Sequence, residues 1–185
     1  NLASFYTATG DYSAAEQLLD RALPGLEKAR GENHPDTLAA ANNLAALSKI
    51  KVDLMATELQ LERVLAGMEI AFSPDHPYTL RVMRNLAVHY NLIGDYVAAK
   101  PLFKRVLEGM ERIHPADHPD TLRSVSDLAM LHISTGNILE AEPLVKRALA
   151  GQEQFLGKLN PETLVTLHAL AGLYMSKGDY TAAEP

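Results

Sequence analysis

His34-Pro35-Asp36-Thr37-Leu38, His76-Pro77-Tyr78-Thr79-Leu80, His118-Pro119-Asp120-Thr121-Leu122 and Asn160-Pro161-Glu162-Thr163-Leu164 follow one another at 42-residue intervals along a chain of 185 residues. Self-similarity at a fixed period of this size marks an array in which each copy is one supersecondary unit that buries its apolar face against its neighbours. A second series keeps the same phase: Gly10-Asp11-Tyr12, Gly94-Asp95-Tyr96, Gly136-Asn137-Ile138 and Gly178-Asp179-Tyr180, with Val52-Asp53-Leu54 in the remaining slot. No insertion or deletion interrupts either series. The copies divide the chain into a partial repeat at 1–33, full repeats at 34–75, 76–117 and 118–159, and a partial repeat at 160–185, all in one array.

Each copy reads as two helices. Pro in the second position of the His-Pro series suits the first turn of a helix, where its missing N–H has no partner to lose. The residue before it then stands at the N-cap, and Asn160 in place of His fits that role. Leu38, Ala41, Leu44, Ala45 and Ser48 recur at helical spacing, an amphipathic stripe. Glycine in the Gly-Asp-Tyr series takes the left-handed position that closes the first helix, and Asp caps the second. Val52 breaks this rule, since a β-branched residue does not settle at positive φ. An irregular turn over Lys51 to Asp53 is therefore expected.

Composition agrees. The chain is 47% hydrophobic but only 6% aromatic, and contains no Trp, which suits close-packed helices better than a β-sandwich. With no Cys there is neither a disulfide framework nor a thiolate metal site. A formal charge of −6 argues against nucleic-acid binding, which needs a basic surface. No apolar run approaches the roughly 18–20 residues of a membrane span, and no signal peptide opens the chain, so no membrane partner and a cytoplasmic location are expected. Both ends fall inside a hairpin, so the expectation is a piece of a longer protein whose outer half-repeats fray before the middle.

The small-residue pattern at Leu44, Ala45, Thr57, Leu61 and Val64 and their counterparts resembles the tetratricopeptide repeat. The 42-residue period, with His-Pro-Asp-Thr-Leu, Asn-Leu-Ala and Arg-Ala-Leu, is similar to the kinesin-light-chain subclass and its longer second helix. The resemblance covers the whole chain. It implies an all-α fold, an α-solenoid in which antiparallel helix pairs wind into a right-handed superhelix, and a function in protein binding without catalysis.

Repeats within one chain can be compared with each other. A residue identical in every copy serves what every copy does, which is folding. Thr37, Thr79, Thr121 and Thr163 are such positions, as are Leu38, Leu80, Leu122 and Leu164 and the Leu44-Ala45 pair with its equivalents. Arg21, Arg63, Arg105 and Arg147 recur with Glu27, Glu69, Glu111 and Glu153, which reads as a structural ladder of ion pairs. Gly25, Gly67, Gly109 and Gly151 recur inside the second helix. Glycine there costs roughly 1 kcal/mol relative to Ala, so close helix approach is expected to compensate.

Positions that vary while staying polar are candidates for a ligand. The resemblance implies that one face of the first helices lines the inner wall of the superhelix. On this chain that face is the stripe in phase with residues 39, 42, 43, 46 and 49. It carries Asn42, Asn43 and Lys49 in the first full copy, Arg81, Arg84, Asn85 and Asn91 in the second, Arg123, Asp127, Met130 and Ile133 in the third, and Val165, His168 and Met175 in the last. Lys49, Arg81, Arg84 and Arg123 face only Asp127, an excess of positive charge within an acidic chain. Five of the eight Asn residues lie here too: Asn1, Asn42, Asn43, Asn85 and Asn91. An Asn amide both donates and accepts, which suits the backbone of an extended peptide, and Arg supplies a fork for carboxylates. The candidate groove residues are therefore Asn42, Asn43, Lys49, Arg81, Arg84, Asn85, Asn91, Arg123, Met130 and His168. Their expected partner is a protein or peptide segment, acidic with apolar anchors.

The seven His residues do not read as a metal site. His114 and His118 have i, i+4 spacing, but Pro115 and Pro119 make that segment a turn, and helix entry accounts for His34, His76 and His118. No phosphate loop or nucleophile elbow is present, and no cofactor is expected. Two other readings stay open beside the binding scaffold. One is a sensor or regulatory array attached to an ATPase or protease effector domain. The other is a structural module that self-associates end to end.

Overall fold

The computed structural model describes residue 9, residues 11–48, residues 54–179 and residue 181. Among them are eight helices: α1 (Tyr12–Arg30), α2 (Pro35–Ser48), α3 (Leu54–Ala71), α4 (Pro77–Ile93), α5 (Tyr96–Ile113), α6 (Pro119–Ser134), α7 (Ile138–Phe155) and α8 (Pro161–Lys177). The fold is all-α, as the resemblance to the tetratricopeptide repeat implies. The irregular turn expected at Val52, the stripe residue Lys49, and most of the terminal segments expected to fray lie outside the described residues.

Six of the described helices begin at a side-chain cap that the sequence supplies. The Nδ1 atoms of His34, His76 and His118 accept from the N–H of Asp36, Tyr78 and Asp120 at 3.1–3.2 Å. Asn160 Oδ1 does the same for Glu162 at 2.9 Å, so His and Asn are interchangeable here because both place an acceptor over the first turn. The Asp11 and Asp95 carboxylates accept from Ala14 and Ala98 at 3.1 and 3.0 Å. Asn137 departs from the series. It makes no cap bond, and its Nδ2 donates to Thr135 Oγ1 at 2.8 Å. Gly94, Gly136 and Gly178 close their helices at φ of 83°, 71° and 75°, the left-handed turn read from the sequence.

The chain divides into two compact units, residues 1–89 and 90–185. In the first, α1 packs on α2 and α2 on α3. Ala15, Leu19, Ala40 and Leu47 form one core cluster, and Leu38, Val64, Met68 and Val82 another. In the second, α5 packs on α6, α6 on α7 and α7 on α8, and α6 also touches α8. Ala129, Ala141, Val145 and Leu173 make a core there.

Among the positions shared by every copy, Thr37, Thr79, Thr121 and Thr163 are all buried, whereas the Leu series is buried at Leu38, Leu80 and Leu122 and exposed at Leu164. Ala45, Ala87 and Ala129 are buried too. Thr79 Oγ1 donates to the Ser73 carbonyl at 3.0 Å, tying the start of α4 to the beginning of the loop that precedes it. The ion-pair ladder is present within both units. Arg63 reaches Glu27 at 3.8 Å and Glu32 at 2.8 Å, and Arg147 reaches Glu111 at 2.7 Å.

The glycines of the second helices explain themselves by contact. A Cβ built on Gly67 would lie 2.8 and 2.9 Å from the two Leu38 methyls, and one on Gly151 would lie within 2.6 Å of the Leu122 methyls. Leu38 and Leu122 thus seat directly on a bare backbone. Gly25 holds the same phase in α1 and has nothing within 4 Å of where its Cβ would be.

His132 occupies the slot that Tyr90 and Tyr174 fill in neighbouring copies. It is buried on α6, and its Nδ1 has no hydrogen-bond partner among the described residues. Burial pushes its pKa below 6.5, Lys100 and Lys104 on α5 push the same way, and Glu140 on α7 opposes them. The folded state therefore resists protonation more than the unfolded chain does. The resulting stability is complete above pH 6.5 and is lost as pH falls toward the depressed folded value. Melts at pH 7.5 and pH 5.5 should show a smaller loss in His132→Tyr than in the parent. An equal loss in both would show that His132 is not a source of the pH dependence.

Candidate functional site

Packing sorts the stripe residues into three kinds. Asn42 is 1% exposed, and its Oδ1 accepts a 2.9 Å hydrogen bond from Asn85 Nδ2 on α4. Its sequence-based assignment as a peptide contact is corrected on that ground. A side chain with no open surface cannot hold a ligand, and this one fixes the amide of Asn85, which is half-buried. Asn43 is half-buried beside it.

Arg81 and Arg84, the described stripe cations of the first unit, lie on α4. Arg81 is exposed and its guanidinium sits 5.1 Å from the centre of the Tyr78 ring, a cation–π contact that holds the side chain at the start of the helix. Arg84 is half-buried one turn further on, and Asn85 follows it. Arg81, Arg84 and Asn85 thus form a polar patch on successive positions of one helix face, with Asn42 behind Asn85.

Among its described residues the second unit carries one stripe cation. Arg123 on α6 makes a 2.6 Å ion pair with Glu162 at the start of α8. The sequence reading missed this carboxylate. The available signal was its phase, because positions 36, 120 and 162 all carry acidic residues three positions ahead of the stripe. Arg123 is therefore already engaged by the chain itself, although both side chains remain half exposed. Beyond it the stripe turns apolar: Met130, Val165 and Met175 are exposed, as is His168. Asn91 at the end of α4 is half-buried, and its Oδ1 has no hydrogen-bond partner among the described residues. Beneath the stripe, buried Gln152 of α7 donates to Ser126 at 3.4 Å.

A second set of charges is structural. Glu142 of α7 accepts hydrogen bonds from Lys146 at 2.6 Å and from Lys177 of α8, and these hold its pKa down to about 2. Lys146 in turn lies 5.5 Å from the Tyr174 ring. This cluster fastens α7 to α8.

No arrangement of nucleophile, base and oxyanion donor accompanies the stripe among the described residues. The face of α4 offers guanidinium donors and side-chain amides, and those of α6 and α8 offer flexible thioethers, each a chemistry of recognition in its own unit.

Capped helix pairs at a 42-residue period, with a Leu seated on a Gly in the pairs of α2 with α3 and α6 with α7, define a helical-repeat protein. The tetratricopeptide repeat family matches residues 1–48, 60–112, 89–154 and 120–185, and the chain belongs to that family. No curated protein sequence matches it. Among solved structures it is similar to a kinesin light chain-like protein with nearly identical TPR-like repeats from Podosopora anserina, at 27% identity and a TM-score of 0.78, covering 99% of this chain and 87% of that one. BtubC (BKLC) from P. vanneervenii gives a TM-score of 0.81 at 22% identity, covering 99% and 73%. A Rap protein complexed with Competence and Sporulation Factor gives 0.81 at 14% identity, covering 98% of this chain and 48% of that one. The last two likenesses speak to the fold alone. Repeats of this family serve as protein-interaction scaffolds, and no helix among the described residues is long and apolar enough to cross a membrane.

Proposed function

We propose that this chain binds a peptide segment of a partner protein on the stripe formed by its first helices, and that the segment is acidic with apolar anchors. The single observation that carries the proposal is the patch of Arg81, Arg84 and Asn85 on α4, set on an acidic chain. Arg81 is steered by Tyr78, and Asn85 is braced by the buried Asn42. Pre-positioned donors lose less freedom on binding than free ones, so such a patch favours a ligand over bulk water. Exposed Met130 and Met175 supply adaptable apolar surface on the first helices of the second unit. A protein of similar fold has been solved complexed with Competence and Sporulation Factor, which is compatible with this reading.

Random peptides displayed and selected on the immobilised chain test the proposal. Asp and Glu should be enriched on the parent, and the enrichment should vanish on the double variant Arg81→Glu, Arg84→Glu. Equal enrichment on both would remove the stripe from the account.

The Arg123–Glu162 pair adds a condition. A carboxylate of the ligand must displace Glu162 to reach Arg123, so Glu162→Gln should tighten binding of a selected acidic peptide about two- to fivefold. This is the scale of one exposed ion pair. Calorimetric titration of the two proteins with one peptide decides it, and weaker binding to Glu162→Gln would count against the competition.

A further inference from the structure

We propose that the joint between α5 and α6 binds a divalent transition-metal cation through His114, His118 and Asp120. The prolines that argue against a site in the sequence are what fold it. Pro115 follows the extended end of α5 and Pro119 opens α6, and the turn between them returns the chain on itself. As a result one ligand atom of each of the three side chains lies within 4.8 Å of the other two. The His114 and His118 rings are parallel, with centroids 3.9 Å apart. His118 Nδ1 stands 3.8 Å from Asp120 Oδ2. Arg147 of α7 donates to the Ala116 carbonyl at 3.2 Å and to Glu111 at 2.7 Å, which holds the turn from outside without touching the three ligands.

The equivalent joint between α1 and α2 shows what this geometry attracts. There His34 Nδ1 stands at the same 3.8 Å from Asp36 Oδ2, and Arg30, in the phase of His114, places its guanidinium directly on the Asp36 carboxylate. One joint thus carries its cation on the chain. In the other, His114 replaces that fixed charge with a neutral-capable imidazole beside a carboxylate of the same placement. The joint between α3 and α4 has Phe72 stacked on His76 at 4.1 Å, with Tyr78 in place of the acid, and so offers one ligand instead of three.

Two imidazoles and one carboxylate suit zinc, copper or nickel better than calcium or magnesium, which prefer all-oxygen shells. The Nδ1 lone pair of His118 already acts as an acceptor, toward the Asp120 N–H. Ligation exchanges that amide for the cation, and the two rings turn out of their stack so that their nitrogens converge. Half-buried His114 and His118 and exposed Asp120 leave room for water at the remaining coordination positions.

The neighbouring copies supply variants that preserve the joint. His114→Phe recreates the Phe72–His76 stack, and His118→Asn recreates the Asn160 cap. The test is a calorimetric titration of the 185-residue chain with zinc chloride in a non-coordinating buffer, beside thermal melts with and without the metal. The parent should bind one equivalent and melt at a higher temperature with zinc. Each variant should bind at least about tenfold more weakly, since loss of a ligand costs no less than loss of an outer-shell partner, and should melt with the parent when no metal is added. Parent-like binding in either variant, or no stoichiometric binding by the parent, would overturn the site.

Discussion

Alanine placed at Gly25 and at Gly151, positions three periods apart in one array, should move stability in opposite directions. Both glycines lie inside second helices, α1 and α7, where Ala gains roughly 1 kcal/mol over Gly from backbone entropy alone. At Gly25 nothing stands within 4 Å of the new methyl, so the gain is kept and the variant should be more stable by about that amount. At Gly151 the methyl falls within 2.6 Å of the Leu122 methyls and 3.1 Å from its Cγ. Leu122 is 3% exposed, so its methyls can shift only into the surrounding core. Overpacking of this kind costs about 1–3 kcal/mol and occasionally more, which outweighs the propensity gain and leaves Gly151→Ala less stable than the parent by about 1 kcal/mol. Denaturant melts of the three proteins provide the check. Stabilisation by both substitutions would mean that Leu122 does not seat on the backbone of α7 in solution.

The second large effect concerns binding. Arg84→Glu should weaken an acidic peptide selected on the parent by about ten- to a hundredfold, which is 1.4–2.8 kcal/mol. A charge-assisted hydrogen bond contributes about 1.5–3 kcal/mol, and the reversed charge then repels the ligand. Arg84 is half-buried, so salt should screen its interaction less than that of exposed Arg81. Titrations at low and high salt should show an affinity that falls with ionic strength in the parent and falls less in Arg84→Glu, where Arg81 still attracts the ligand and the introduced carboxylate repels it. Circular dichroism of the variant should match the parent, because Arg84 belongs to none of the core clusters. An affinity unchanged by the substitution, with no salt dependence, would exclude the patch.

The array itself was readable because each copy repeats the same local chemistry. A cap acceptor before proline, a glycine at positive φ and a Leu-Ala pair leave the backbone few alternatives, and four copies in one phase remove the ambiguity any single copy would have. The paired roles of Leu38 with Gly67 and Leu122 with Gly151 were half visible. The sequence shows that glycine recurs, but only packing shows what stands opposite.

Side-chain partners across helices were harder to see. Arg123 and Glu162 are 39 residues apart, and no local spacing rule joins them. Asn42 shares the stripe's angular spacing with Asn43, yet a rotation of one position turns it inward against Asn85. Helical periodicity assigns a face to within about one position, and burial is decided by the neighbour. The His114–His118–Asp120 cluster was passed over because its prolines broke the helical spacing that metal motifs usually keep, whereas the turn supplies the proximity by another route.

The central claim, that the first-helix stripe is the binding face, is tested most directly by hydrogen exchange on the chain with and without a selected acidic peptide. The account predicts added protection in α4 around Arg81 to Asn85 and in the stripe of α6, with no change in the second helices α3, α5 and α7. Protection confined to those second helices, with α4 unaffected, would contradict it.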